Sequence, residues 1–210
     1  MDQHRLAEVV YRHRGKLAIA LFLVALTCLA WRRTAINLGE PMEDWFDLAG
    51  GIIALTGHAL RLLALRHIGP RSRTHDLGAQ LLVTQGPYAI VRNPLYLGNW
   101  LIAFGLCFFA QLTWLFVVGP AVVFLLYYTS VLAEERFLVQ RFGDEYTAYC
   151  EATPRFFPRA LLSRRGWQLL IAKGTQPVWR TKEYQAFLNT GALIVLIEAT
   201  KGLHKIGLLL

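Results

Sequence analysis

Acidic residues and cysteine are scarce in this chain of 210 residues, which carries 14 Asp or Glu against 22 Lys or Arg, and three Cys. Cys28, Cys107 and Cys150 are odd in number and have no ligand spacing, so no disulfide framework is implied; two of them lie in apolar runs and read as small core residues. The six histidines form no pattern such as His-Glu-x-x-His, and no metal is assigned. Internal repeats and low-complexity linkers are also missing. No nucleic-acid-binding signature accompanies the net charge of +8, so a nucleic-acid partner is not expected.

What the chain has is apolar length. Hydrophobic residues make up 55% of it and mean hydropathy is +0.37, too apolar for an ordinary soluble domain. Four stretches stand out: Leu17 to Trp31, Trp45 to Leu65, Leu95 to Ala110 and Leu112 to Ala133. A straight spanning helix needs roughly 20 residues. The first and third stretches are short, but Lys16 and Arg32 can snorkel at one and polar flanks extend the other, so all four are expected to span. Ala186 to Ala199 is a fifth candidate that carries Glu198, and a fifth span competes with a re-entrant or interfacial helix. The expected fold class is an all-α integral membrane bundle of four to five transmembrane helices, with cytoplasmic C-terminal helices forming a cofactor site. Residues 1–210 form a single membrane domain: an N-terminal segment and first span over 1–45, a core over 46–160, and an extension over 161–210.

Basic residues set the orientation. With the N-terminus inside, segments 1–16, 66–94 and 134–185 hold seventeen of the 22 Lys and Arg, which places the N-terminus and the polar C-terminal region in the cytoplasm. Topology and anionic headgroups then account for the net positive charge. Trp31-Arg-Arg follows the first apolar run where small residues should define a cleavage site, so a retained signal-anchor is expected.

The most informative stretch runs from Gly86 to Gly98. Gly86-Pro87 is a turn, and Asn93-Pro94 is a helix start: Asn caps free N–H groups through its side chain, and Pro fits the first helical position. Leu95 to Ala133 must fold back, because 39 residues of helix would be about 58 Å long, twice the hydrocarbon thickness; Gln111 sits at the turn. The following helix should run to Phe142, with Gly143 as its stop, Asp144 capping a short helix, and Thr153-Pro154 ending that piece. Arg155-Phe156-Phe157-Pro158 suits the headgroup layer, or an exposed loop.

A helix start with Arg92 directly before it favours a carboxylate or phosphate. Glu134 and Glu135, at the end of the next apolar hairpin, point about 100° apart, so one is suited to a ligand ammonium and the other to an arginine. A zwitterion of the amino-acid kind would satisfy both clusters. Simpler readings compete: Arg92 and Arg136 as topology charges, the glutamates as a solvated face, Tyr88 and Tyr96 as interface aromatics, Arg61 as a snorkelling residue and His58 as structural.

Gly57-x-x-Leu-Arg61, Leu82-Val-Thr-x-Gly-Pro-Tyr88, Val91-Arg-Asn-Pro-x-Tyr-x-Gly98, Glu134-Glu135 and Phe142-Gly-Asp-Glu-Tyr146, with Tyr149 and Pro154, resemble in order and spacing the isoprenylcysteine carboxyl methyltransferase and phospholipid methyltransferase superfamily. The resemblance covers about residues 50 to 160. It implies an S-adenosylmethionine-dependent enzyme with the cofactor bound by Leu82, Val83, Gly86, Tyr88, Asn93, Pro94, Tyr96, Gly98, Glu134 and Glu135, and with Arg92 and Glu135 as catalytic candidates. It also implies a lipophilic partner: a prenylcysteine carboxylate, another isoprenoid or a lipid headgroup. Asn93 stands where the best-known members have His, so an acid/base role there is not carried over. Two alternatives stand beside this reading, a membrane reductase resembling the NADPH-dependent sterol reductases and a non-catalytic lipid-binding protein. Oligomeric state is left open.

Overall fold

The computed structural model describes residues 24, 27, 40–68 and 81–206. The expected first span apart from residues 24 and 27, the signal-anchor reading and residues 69–80 of the loop after Leu65 fall outside them. Among the described residues six α-helices carry the architecture. They are α1 (Glu40–Ile68), α2 (Pro94–Ala110), α3 (Val118–Phe142), α4 (Asp144–Ala152), α5 (Arg164–Leu170) and α6 (Glu183–Lys205), with short 3-10 turns between several of them.

Helices α1 and α2 are joined by glycine. A methyl group on Gly57 would lie 2.6 Å from the Gly98 carbonyl oxygen, and one on Gly50 would lie 2.8 Å from that of Gly105. Both helices place the two glycines seven residues apart, so each presents a smooth seam that lets the backbones meet. In an apolar solvent this close packing replaces the hydrophobic drive that would hold helices together in water. Trp100, Phe104, Phe108, Phe116 and Phe46 fill the adjoining space in a run of stacked and edge-on rings. Cys107, Phe109, Ala110, Leu112 and Leu115 bury themselves with Ile197 of α6.

The opposite faces are apolar and bare. Trp45, Leu48, Ile52 and Leu55 on α1, Phe124 and Leu125 on α3, and Val195 and Leu196 on α6 are all exposed. A water-soluble fold would bury such side chains; lipid accepts them. Three helical stretches, Pro41–Ile68, Trp114–Phe142 and Glu183–Leu203, are long and apolar enough to cross a membrane, and the protein is a membrane protein.

Two of the five candidate stretches bear on the span count. The expected third span is a 17-residue helix, short of the usual length, and the fifth candidate is a full helix of 23 residues with length and composition to cross. It is longer than the apolar run because Glu183 and Lys201 at its two ends are held by partners. Glu183 pairs with Arg61 and His58, whereas Lys201 pairs with Asp47 and Glu198. Helix α6 therefore runs antiparallel to α1. Fourteen residues separate Asp47 from Arg61 and eighteen separate Glu183 from Lys201, about 21 and 27 Å of helix, close to a hydrocarbon core of about 30 Å.

The turns fall close to the expected places. Gln111 caps α2 in a left-handed conformation with φ 50°. Its side-chain amide donates to Asp47 Oδ1 at 3.2 Å, tying the turn to α1. Helix α3 stops at Phe142, where Gly143 takes φ 54° and ψ −123° and donates its N–H to Val139 O at 2.9 Å. Nothing lies within 4 Å of a methyl group placed on Gly143, so the backbone angle alone accounts for glycine there. Gly143 also stands at the N-cap of α4, and Asp144 is the first helical residue instead of the cap. The unusual glycine angles redirect the chain within one residue, leaving no room for a separate cap.

Candidate active site

The site lies where the start of α2 meets the end of α3. Pro87 and Ile90 are buried beneath a 3-10 turn at 86–89, and Gly86 adopts φ 62° directly against His67. Any side chain on Gly86 would strike the imidazole, its Cβ lying 2.3 Å from Nε2. This turn delivers Arg92 and Asn93 to the beginning of α2. The Arg92 N–H donates to Pro154 O at 2.9 Å and its Nη1 to Cys150 O at 3.1 Å, so the end of α4 and the loop after it are stitched to the same point.

Asn93 does not cap α2 with its side chain as expected. Its Nδ2 donates instead to Glu135 Oε1 at 2.9 Å. Both groups are buried, and a buried carboxylate short of donors costs more than an uncapped helix start, so the amide goes to the carboxylate. Arg155 completes the arrangement as a fork. Its Nη2 lies 2.7 Å from Glu135 Oε2, its Nε lies 3.1 Å from both oxygens, and its Nη1 donates to Tyr128 Oη at 3.3 Å. Hydrogen bonding to Glu135 is the main reason the Arg155 guanidinium is held above its ordinary range.

Arg92 stands beside this pair. Its Nε is 3.4 Å from Glu135 Oε1, yet makes no hydrogen bond and is shielded from solvent. The Glu135 carboxylate thus meets the Arg92 charge although this N–H has no well-aligned acceptor. Glu134, one residue before Glu135, points elsewhere and accepts the Tyr96 hydroxyl at 2.9 Å. The two neighbouring carboxylates thus have separate partners, as their helical spacing requires.

Tyrosines close the underside. The Tyr149 hydroxyl donates to Tyr88 O at 2.6 Å, and Tyr146 is almost fully buried. Burial raises the pKa of all three phenols above the usual range; proximity to Glu134 adds to the effect at Tyr88, and to Glu135 at Tyr146 and Tyr149. All three remain neutral hydroxyls at physiological pH.

The structure therefore brings Arg92, Asn93 and Tyr96 together with Glu134 and Glu135, with Pro94 buried at the first position of α2 and Tyr88 adjacent. Leu82 and Val83 are half-buried on the approach to the 86–89 turn. Gly98 has a different task. A methyl group there would lie 2.6 Å from Arg61 Cγ and 2.8 Å from Gly57 O, so the absent side chain makes room for α1 and its arginine.

Two partners escaped the sequence reading. Arg155 reads from sequence as part of a surface segment, and no motif singles out Glu183. Glu183 receives Arg61 Nε at 2.8 Å and Nη2 at 2.9 Å, while Arg61 Nη1 donates to Asn99 Oδ1. His58 bridges Glu183 Oε1 and Thr190 Oγ1, each at 3.1 Å, with its ring edge-on to Phe187. The one available signal was Glu183 itself, an acidic residue in the first turn of an apolar helix that would need a cation.

A polar cluster is held at one end of the apolar helices of a membrane protein, and the family comparison suggests a methyltransferase. Residues 45–145 match the phospholipid methyltransferase family, which belongs to the isoprenylcysteine carboxyl methyltransferase-like superfamily. The chain is 36% identical over 137 residues to the nickel-cobalt-cadmium resistance protein NccN of Alcaligenes xylosoxydans xylosoxydans, covering 63% of this chain and 61% of that protein. It is 39% identical over 83 residues to the cobalt-zinc-cadmium resistance protein CzcN of Cupriavidus metallidurans, covering 40% and 38%. Both alignments span less than two thirds of the relative's length. Among the described residues no group of three His, Cys, Asp or Glu is arranged to hold a metal ion.

Proposed function

We propose that the protein transfers a methyl group from S-adenosylmethionine to a lipophilic acceptor drawn from the bilayer. The observation that carries this reading is the meeting of Arg92 and Tyr96 on one helix start with Glu134 and Glu135 on the next helix, within a methyltransferase family. The residues suit the cofactor's amino-acid end. Arg92 is a cation at the helix start beside the Glu135 carboxylate, and Glu134 is a carboxylate oriented by Tyr96. When bound, the cofactor supplies a methyl group already activated on a sulfonium, so the protein contributes orientation and electrostatics.

In this account Arg92 holds the carboxylate and Glu134 the ammonium, with Leu82, Val83, Gly86, Tyr88 and Pro94 forming the adjoining wall. Glu135 positions Asn93, Arg92 and Arg155 through its two oxygens. An amine acceptor would release a proton, for which Glu134 and Glu135 are the carboxylates at hand, and a carboxylate acceptor would release none. Asn93 donates a neutral hydrogen bond and takes no part in proton transfer.

The reading is tested by incubating membranes containing the protein with radiolabelled S-adenosylmethionine and separating lipid from protein. Label entering the lipid fraction, and absent with Arg92→Met, supports it. Label in neither fraction from folded protein that binds the cofactor would count against transfer, and preferential binding of NADPH would favour a reductase.

A further inference from the structure

We infer that residues 157–182 form a docking surface for anionic lipid headgroups, lying flat at the end of the bundle where the site is. Three observations meet here. First, the segment contains Arg159, Arg164, Arg165, Lys173, Arg180 and Lys182 and no Asp or Glu, and all six cations are exposed. Second, large apolar side chains stand out among them: Phe157, Leu162, Trp167, Ile171 and Trp179, with Leu162 92% and Trp179 70% exposed. Third, the segment is pinned to the helix ends and cannot swing into bulk water.

The pinning is specific. Gln176 N–H donates to Arg66 O at 2.9 Å, Arg66 Nε returns a bond to Gln176 O at 3.3 Å, and Thr175 Oγ1 also reaches Arg66 O at 3.3 Å. Gly174 packs directly on Arg66, where a methyl group would lie 2.5 Å from its Cβ. Helix α5 is capped by Ser163, whose hydroxyl accepts from the Gly166 N–H at 3.1 Å, and it packs against the 86–89 turn. The segment's far end leads through the turn at 178–181 into α6, one of the membrane-capable helices. Both borders are thus fixed beside helices that enter lipid.

Neither water nor hydrocarbon suits such a surface. Exposed Trp and Leu are unfavourable in water, and six cations are unfavourable in the acyl region. The headgroup boundary accommodates both, with indole rings at the level where amphipathic aromatics settle and cations facing phosphate. Arg180 lies with its guanidinium carbon 5.0 Å from the centre of the Trp179 ring, an arrangement that keeps the cation beside the aromatic anchor. The absence of carboxylates means nothing in the segment competes for those cations, and anionic lipid gains from each of them. This surface is separate from the methyl-donor cluster, and its existence does not depend on the reaction proposed above.

The test uses the full chain in nanodiscs of phosphatidylcholine alone or with phosphatidylglycerol, reading hydrogen exchange of residues 157–182 and quenching of tryptophan fluorescence by brominated phosphatidylglycerol. Exchange is expected to slow in the anionic discs, and high salt should reverse part of the slowing. Each removed cation, beginning with Arg164→Gln and Lys173→Gln, should lower the protection about fivefold at low salt. Trp179→Ala, chosen because its side chain is exposed, should reduce the quenching while the melting temperature stays unchanged. Equal exchange in the two kinds of disc would overturn the inference, as would anionic protection that survives loss of the cations. Protection by a DNA duplex in neutral discs, with none from phosphatidylglycerol, would overturn it in favour of a nucleic-acid surface.

Discussion

Asn93 gives its side-chain amide to Glu135 across 42 positions of sequence, 2.9 Å between Nδ2 and Oε1, and so joins the start of α2 to the end of α3. Removing the donor by Asn93→Ala should lower stability by about 1–3 kcal/mol, because the buried carboxylate loses a partner. Asn93→Asp should do worse, since it sets a second carboxylate against the first. Thermal unfolding in detergent checks the order: parent, Ala, then Asp.

Glu135 and Arg155 should be coupled. Glu135→Gln leaves Arg155 and Arg92 without their anion and is expected to cost about 2–3 kcal/mol, below the range for fully buried pairs because the Arg155 side chain is about a third exposed. In a double-mutant cycle with Arg155→Met the interaction energy should be about 1–3 kcal/mol. Additive single effects would show that the fork is incidental.

The tyrosine hydroxyls predict an alkaline limb. Burial raises the folded-state value of Tyr149 above that of the unfolded chain, so the stabilisation is complete below about pH 10, where the free phenol ionises, and is lost as pH rises through the folded value. Tyr149→Phe removes the bond to Tyr88 O and should cost about 1 kcal/mol at neutral pH. The variant's stability should also fall less steeply above pH 10, which denaturation between pH 7 and 11 would reveal.

The glycine seam makes a graded prediction. Gly57→Ala pushes a methyl group into the Gly98 carbonyl, which is backbone and cannot rotate away, so a loss of about 1–3 kcal/mol is expected. Gly191→Ala on α6 meets nothing within 4 Å and should be neutral or stabilising by up to about 1 kcal/mol. If both variants melted alike, the seam would not be the basis of the α1–α2 contact.

What the sequence disclosed is mostly local. Pro94 starts α2 and Gly143 ends α3 because each acts through its own backbone, and the hairpin through Gln111 follows from a length that one helix cannot cover. The meeting of the Asn-Pro start with the Glu-Glu pair was also legible, since two antiparallel apolar helices return the chain to the same end. Arg155 and Glu183 were not. An arginine in a basic, aromatic stretch looks the same whether it faces lipid or reaches back 20 residues to a carboxylate, and no periodicity links Glu183 to Arg61 across 122 residues. Asn93 showed its residue type but not its partner, because a helix cap and a buried carboxylate both call for the same short amide.

The central claim concerns Arg92 and Glu134 as opposite holders of one small molecule. The direct measurement is equilibrium binding of S-adenosylmethionine to the purified, folded protein beside Arg92→Met and Glu134→Gln. Saturable binding by the parent, weakened about 10- to 100-fold in each variant as expected for loss of a charge-assisted hydrogen bond, is the predicted result. Binding of equal strength in all three proteins, or no binding by the folded parent, would contradict the account.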